Sequence, residues 1–415
     1  MSRMNTELFI ANRLSGRSGG RRSVMVRIAS AAVAVGTAVI LVTLAVIGGF
    51  RKEITGRLSG FGGHVRIVSN IPGDSFTAPP IVLDPRLEAA VGKIPDFGSI
   101  HPYAIVSGVI KTPEALHGIA LKGVAGDYDT AFFRSSLLRG RLPRTGGEAR
   151  FKDLLVSQTV ADLLRIDTAD RVELMFVGGG GVRRDAYRIS GVYSTGMDEL
   201  DRTVTITDIR NVQRLLGWDN DLITGYEVNT RRFDRLDGFA GKVYETIFDY
   251  TSPDGTTLRS DSIEELNPAV FDWLGAHRVN AAVIIVIMLA VAALNMASAL
   301  LIILLERTSM IGVLRALGMK VRSVQKIFLI RSLRIVLAGM LWGNIAGLGF
   351  VLLQRYTGVL RLDEEGYMLS RVPVDFGVWW WLALNIALPA VMVALMSLPA
   401  AIISGIKPEQ TMRYQ

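Results

Sequence analysis

The 415-residue chain has no cysteine. That excludes disulfides, thiol nucleophiles, thiolate metal sites and lipidation of a cysteine of its own, and it suits an oxidising compartment without requiring one. Histidine is also scarce: His64, His101, His117 and His277 are scattered without metal-ligand spacing, and no H-E-x-x-H occurs. No G-x-x-x-x-G-K-S/T is present, because Gly178, Gly179, Gly180 and Gly181 are followed by Val182, Arg183 and Arg184. One acidic turn, Asp198, Glu199 and Asp201, has no nucleophile or base assigned to it and reads as a solvated loop. The chain is therefore expected to be non-catalytic and to bind no cofactor or metal; any ATP and Mg²⁺ would sit on another chain.

Apolar length is abundant. Half of the residues are hydrophobic and the mean hydropathy is +0.34, which places the chain among membrane proteins. Crossing a hydrocarbon core takes about 20 apolar residues, and the segments 26–50, 279–305, 327–353 and 378–403 qualify. The net charge of +8 gathers where these segments end, so it reads as topological and nucleic acid need not be invoked. The first segment follows Arg13, Arg17, Arg21, Arg22 and Arg27, which places the 1–25 segment in the cytoplasm. Its apolar run is too long for a cleaved signal peptide, and it reads as a retained helix. Residues 51–277 then lie outside, 306–326 inside, 354–377 outside and the 404–415 tail inside. Trp379, Trp380 and Trp381 open the fourth span at headgroup level. Asn280, Asn295, Asn344 and Asn385 are expected to face other helices, and Gly339, Gly343, Gly347 and Gly349 to let the third span approach a neighbour closely.

The 306–326 loop holds the most specific pattern. Between Glu306 and Arg334 there are seven Lys or Arg residues and one acid. Met310, Ile311, Leu314, Leu317 and Val321 recur at helical spacing, which gives a basic amphipathic helix that either floats at the lipid interface or enters a partner's groove. The residues Glu306, Arg307, Ile311, Gly312, Leu314, Arg315, Ala316, Leu317 and Gly318, followed by Ile327, Phe328 and Leu329, closely resemble the loop of the FtsX-like/MacB-type ABC permeases. That resemblance implies a coupling helix pushed by an ABC ATPase. The reading places Ile311, Leu314 and Leu317 in the groove, lets Glu306 and Arg315 fix orientation, and has Gly318 end the helix.

Residues 51–277 read as a folded module. Short alternating runs such as HVRIVS, VELMFV, AYRISGVY and RTVTITD predict strands, while Leu154 to Leu164 and Ile209 to Leu216 predict helices, the second capped by Asp208. The whole is expected to be an α-helical membrane protein with four transmembrane helices plus a large α+β extracytoplasmic domain between the first two. That domain is read as two lobes, one inserted in the other, with the middle block beginning near Gly123. The phrases VSQTVADLLRI, DRVELMFV, YRISGVYSTGMDELDRT, AVIGGFRKEI and LPAAIISGIKPEQTMR are similar to those of the lipoprotein-releasing permeases LolC and LolE.

That branch implies an inner-membrane permease, paired with a second copy or paralogue and with a LolD-like ATPase, that passes lipoproteins to a periplasmic carrier. A lipid cavity between the first two spans would draw on Val42, Val46, Ile47, Phe50, Ile284, Ile287 and Met288, whose plainer role is helix packing or contact with membrane lipids. Where the branch has a carrier-holding hairpin, this chain has the short loop Gly178, Gly179, Gly180, Gly181, Arg183 and Arg184, which reads either as a strand connection or as a reduced docking tip. A MacB-type mechanotransmission permease and an FtsX-type regulator of a cell-wall hydrolase are the alternatives. The large module argues against the latter.

Overall fold

The structure is a computed structural model and describes residues 24–71, 79–178, 181–362, 369 and 371–401. The N-terminal segment before residue 24, the tail after 401 and the acidic residues Asp363, Glu364 and Glu365 lie outside them. The chain forms two compact units: a membrane unit of residues 1–52, 273–361 and 371–415, and a sheet unit of residues 53–272 and 362–370.

Among the described residues four helices are long and apolar enough to cross a membrane: Val24–Gly62, Pro268–Glu306, Val321–Thr357 and Val378–Ala401. The first three extend well beyond the apolar runs read from sequence. Helicity therefore does not stop where hydropathy does, because polar residues such as Arg51, Lys52 and Glu53 propagate a helix as readily as apolar ones. Within the membrane unit Ala29 and Val33, Met296 and Leu300, Phe328 and Met340, and Met392 and Met396 share one buried cluster. The third span packs on the first through glycines one turn apart. A Cβ on Gly339 would lie 2.7 Å from the Ser30 carbonyl oxygen, and one on Gly343 would lie 2.6 Å from Thr37 Cβ. Gly347 meets Ala38 at 3.2 Å. This is the small-residue contact that membrane helices use in place of a hydrophobic driving force. Gly349, expected to join the ladder, has nothing within 4 Å of a built Cβ because it stands off that face. Asn344 and Asn385 do pair across helices, Asn344 Nδ2 donating to Asn385 Oδ1 at 2.8 Å, and Trp381 Nε1 donates to Asn344 Oδ1 at 2.7 Å. Asn280 and Asn295 are exposed among the described residues.

The sheet unit is built on a ten-stranded mixed sheet. In chain order its strands are β1 (Val65–Ser69), β3 (Phe97–Lys111), β4 (Leu116–Val124), β5 (Leu137–Gly140), β6 (Asp153–Ser157), β7 (Arg171–Gly178), β8 (Gly181–Tyr193), β9 (Val204–Asp208), β11 (Gly225–Thr230) and β12 (Leu258–Ser262). A small second sheet pairs β2 (Ile81–Val82) with β10 (Leu222–Ile223). The main path runs β12-β1-β11-β3-β4-β9-β6-β8-β5, with β7 against β3 and β8. The flanking segments supply one end of the path and the middle block the other. The inserted lobe thus shares a sheet with its host, through the parallel β4–β9 and antiparallel β3–β7 pairs.

Leu154 to Leu164, expected to be one helix, is instead β6 followed by the helix Gln158–Leu164. All five residues of β6 are buried, and a short wholly apolar run cannot be told from a buried helix turn by periodicity. Ser157 marks the switch, its hydroxyl accepting from Val160 N–H as an N-cap. The helix Ile209–Leu216 forms as expected, with Asp208 capping it and Gly123 opposite Ile209 Cα at only 2.6 Å from a built Cβ.

Candidate functional site

The loop between the second and third spans folds as the short helix Thr308–Ala316. Its end is a Schellman motif: Gly318 has φ +87°, its N–H donates to Arg315 O at 3.0 Å, and Met319 N–H donates to Leu314 O at 3.0 Å. The strained left-handed position requires glycine, and Lys320 then leads into the helix beginning at Val321.

The stripe is not wholly free. Ile311 is completely buried against Val324 and Phe328, with Met310 and Val321 packed beside it, so the chain's own spans occupy that part of the face. Gly312 is buried, Leu314 and Arg315 are half-buried, and Arg307 and Glu306 lie at the junction with the second span. The apolar surface left open is Leu317, 80% exposed, with Val313, 52% exposed. The expectation that Ile311 enters a partner's groove is corrected accordingly: amphipathic spacing marks a face that buries, and here the burying surface is intramolecular.

At the other end of the spans lies an apolar crevice of about 380 Å³. Leu41, Leu44, Ala45, Ile47 and Gly48 of the first span, Ala281, Ala282 and Ile285 of the second, and Trp380, Trp381 and Leu384 of the fourth line it, with Arg51, Arg278 and Asp375 among its walls. The segment before the fourth span closes one side. Its Asp375 N–H donates to Ala45 O at 2.9 Å, and a Cβ on Gly49 would meet Pro373 O at 2.4 Å, so only glycine admits that strand of backbone. Asp375 also holds Lys52 at 2.9 Å.

Of the seven expected cavity residues, Ile47 alone lines this crevice. Val42 packs with Leu41, Ala45 and Val351 toward the third span, and Phe50 stacks edge-on with Trp273 at 5.9 Å. Val46 and Met288 are half-buried, while Ile284 and Ile287 are 42% and 50% exposed on the outside of the second span. Arg51, Arg278 and Asp375 were missed by sequence reasoning. The available signal was a pair of arginines immediately flanking two apolar runs.

Gly178 and Gly181 are the last paired residues of a regular hairpin. β7 and β8 pair without a break from Arg171↔Arg188 to Gly178↔Gly181, while Gly179 and Gly180 lie outside the described residues. Arg183 is committed to the fold: its Nη1 donates to Leu215 O at 2.6 Å, neutralising carbonyls at the end of the helix Ile209–Leu216. Arg184 lies 4.0 Å from Glu173.

Two polar centres organise the sheet unit. Lys122 Nζ, buried on β4, lies 2.6 and 2.7 Å from the two Glu227 oxygens and donates to Phe61 O at 2.6 Å and Tyr128 Oη at 3.1 Å. Burial lowers its proton affinity and Glu227 opposes that shift; the carboxylate and a helix-terminal carbonyl together favour the ammonium form. Asp201, expected on a solvated turn, is buried. It accepts from Thr195 N–H and Oγ1 at 2.9 and 2.7 Å and from Gly196 N–H at 3.2 Å, while burial raises its pKa. Its carboxylate, bonded to the Thr195 hydroxyl and two backbone N–H groups, shapes the turn. Among the described residues no group of three metal-ligating side chains occurs.

Four apolar helices, a basic loop helix between the second and third, and an α+β unit inserted after the first define a polytopic membrane protein of the permease class. Residues 28–240 match the MacB-like periplasmic core domain and residues 282–408 the FtsX-like permease C-terminal. The chain belongs to this MacB-like, FtsX-like family of ABC transporter permeases, and its sheet unit is the periplasmic domain. Among curated relatives it is 24% identical over 407 residues to the lipoprotein-releasing system transmembrane protein LolC of Xylella fastidiosa, covering 92% of each chain. It is 21% identical to LolE of Haemophilus influenzae, covering 99% of each. The extracellular domain of the ABC-type transporter YknZ from Gram-positive bacteria aligns with 48% of this chain and 99% of its own, at 13% identity and a TM-score of 0.33.

Proposed function

We propose that this chain is the membrane subunit of an ABC complex that extracts lipoproteins from the bacterial inner membrane and releases them outward to a periplasmic carrier. ATP hydrolysis occurs in a separate LolD-like subunit, and the chain works with a second copy or a paralogue. The observation that carries the reading is similarity to LolC and LolE along nearly the entire length of both chains, rather than over the common permease spans alone. Energetics support the need for such a machine. Exposing three acyl chains of about 15 methylenes to water costs on the order of 36 kcal/mol at about 0.8 kcal/mol per methylene, so spontaneous release is negligible. Pairing is supported by Asn280 and Asn295, amides on the exposed side of the second span that a partner helix would satisfy better than lipid.

Both termini are cytoplasmic in this reading. Single cysteines are informative in a cysteine-free chain: Lys93→Cys should react with an impermeant reagent in intact cells and Lys320→Cys should not. The ATPase receives the exposed end of the loop helix, Leu317 with Val313, oriented by Glu306, Arg307 and Arg315. Leu317→Asp, reconstituted with the ATPase and a triacylated lipoprotein, should lose substrate-stimulated hydrolysis and release, because a groove closed on a charge pays its full desolvation. Undiminished stimulation and release would refute the coupling role.

The hairpin favours a second reading. With Arg183 held by Leu215 O, one of the two basic residues expected to dock a carrier is already engaged by the fold. A MacB-type permease that moves an efflux partner needs none. Copurification of a tunnel-forming protein instead of bound lipoprotein would select it.

A further inference from the structure

The outer face of the β7–β8 hairpin carries two charges that the fold does not compensate. Val172, Tyr187 and Ile189 alternate into the buried cluster on one side of the sheet, so their neighbours Arg171 and Arg188 emerge on the other. The antiparallel register sets these two arginines directly opposite each other, with their Cβ atoms about 5 Å apart. Like charges so placed repel. Both residues are exposed, and among the described residues neither guanidinium has an ion pair or a hydrogen bond.

The acids nearby are already taken. Asp153 stands beside Arg188 in the parallel β6–β8 register, yet its carboxylate accepts from Arg141 at 2.8 Å and from Arg144 at 2.8 and 3.1 Å. Glu173, two residues along the same face from Arg171, has Arg184 at 4.0 Å. Asp185 holds Lys152, and Asp170 accepts from Asp167 N–H at 2.8 Å. Arg171 and Arg188 open on a pocket of about 350 Å³ whose walls include Arg144, Lys152, Asp153 and the small Ala186. Positive charge is therefore in excess inside a concave site, since two arginines share Asp153 and two more have no acid.

We infer that this pocket binds a phosphate group, with Arg171 and Arg188 donating to its oxygens from the two strands and Arg144 and Lys152 adding to the local field. Guanidinium forks match phosphate oxygens by geometry as well as charge. A carboxylate is satisfied by one such fork, whereas a tetrahedral dianion can be shared by two forks that face each other. The pocket is of a size that encloses a small ligand, so the phosphate of a small ester is accommodated as well as the free anion.

The test uses the full chain in phosphatidylcholine nanodiscs, titrated calorimetrically with inorganic phosphate and with glycerol 3-phosphate, a lipid headgroup without its acyl chains. At least one of them should bind saturably. Arg171→Gln and Arg188→Gln should each weaken that binding about tenfold, the loss of one charge-assisted contact. Arg171→Lys and Arg188→Lys, which keep the charge and lose the fork, should lose less. Tighter inorganic phosphate assigns the site to the free anion and tighter glycerol 3-phosphate to an ester or headgroup; the phosphate site stands in both cases. Saturable binding of neither would overturn it. Equal weakening by Arg86→Gln, an exposed arginine outside the pocket, would reduce the effect to net charge and overturn it too.

A melt separates binding from folding. In phosphate-free buffer either glutamine variant relieves the opposed charges and should melt above the wild type. At a ligand concentration that saturates the wild type the order should reverse, because the ligand stabilises the chain that binds it. Glutamine variants that melt below the wild type without phosphate would show that the arginines serve the fold, and would overturn the assignment. No ATPase or lipoprotein enters either measurement, so the phosphate site and the proposed function stand or fall separately.

Discussion

The membrane unit and the sheet unit solve the problem of buried polar groups in opposite ways. In the sheet unit Lys122 and Glu227 are buried as a charged pair within a web that includes Tyr128 and Phe61 O. In the membrane unit the polar contacts among the spans include neutral amides, Asn344 with Asn385 and Trp381, and close packing comes from glycine. The difference follows from the surroundings. A folded domain can dedicate many groups to one ion pair, whereas a span can offer few partners and does better by bringing backbones together.

The strongest way to break this contrast is Lys122→Met, which leaves Glu227 buried and unpaired. It should cost about 3–5 kcal/mol, read as a fall in the urea midpoint of residues 51–275 expressed alone. That segment should unfold cooperatively, and adding Glu227→Leu should recover most of the loss. Next comes the glycine ladder. Gly343→Val forces a side chain into Ala34 O and Thr37 and should destabilise the purified full chain by about 1–3 kcal/mol, whereas Gly349→Val, facing open space, should leave its melting temperature nearly unchanged. A smaller effect is expected from Asn344→Ala, about 0.6 kcal/mol, measured in the same melts; a cost equal to that of Lys122→Met would erase the distinction between the units.

The smallest effect is confined to acid pH. Burial lowers the pKa of His64 from 6.5, so the unfolded chain takes up this proton first as pH falls. Stability from His64 is complete above about 6.5 and declines below it. His64→Gln should flatten that part of the decline in the isolated sheet unit; an unchanged slope would remove His64 as its source.

How far the sequence could be read varied with the kind of signal. The four spans and the helix at Ile209 to Leu216 were legible because length, apolar content and a capping Asp208 all pointed the same way. The strand Asp153–Ser157 was misread as helix because Leu154, Leu155 and Val156 have no alternation when both faces are buried. Ile54, Leu58 and Phe61, at spacings of four and three, did announce that the first helix continues to Gly62, but hydropathy averaged over a window hid them. For the sites, the loop-helix motif located the right segment and its stripe could not say which neighbour would cover Ile311. The crevice was invisible for a different reason. One side of it is closed by the segment that Gly49 admits at Pro373, a contact between residues more than 300 positions apart.

One feature of the sheet bears on how such a chain is assembled. The sheet unit is entered along β1 and left along β12, and these are adjacent antiparallel strands whose outer ends are joined by Ile263 N–H donating to His64 O at 2.9 Å. The first and last strands of the main sheet therefore lie one strand spacing apart. A unit with neighbouring ends behaves as a cassette: it can be lifted out and its place taken by a short linker or a different insert, without lengthening the gap that the flanking helices must bridge. Such a cassette allows the sheet unit to change while the spans stay as they are.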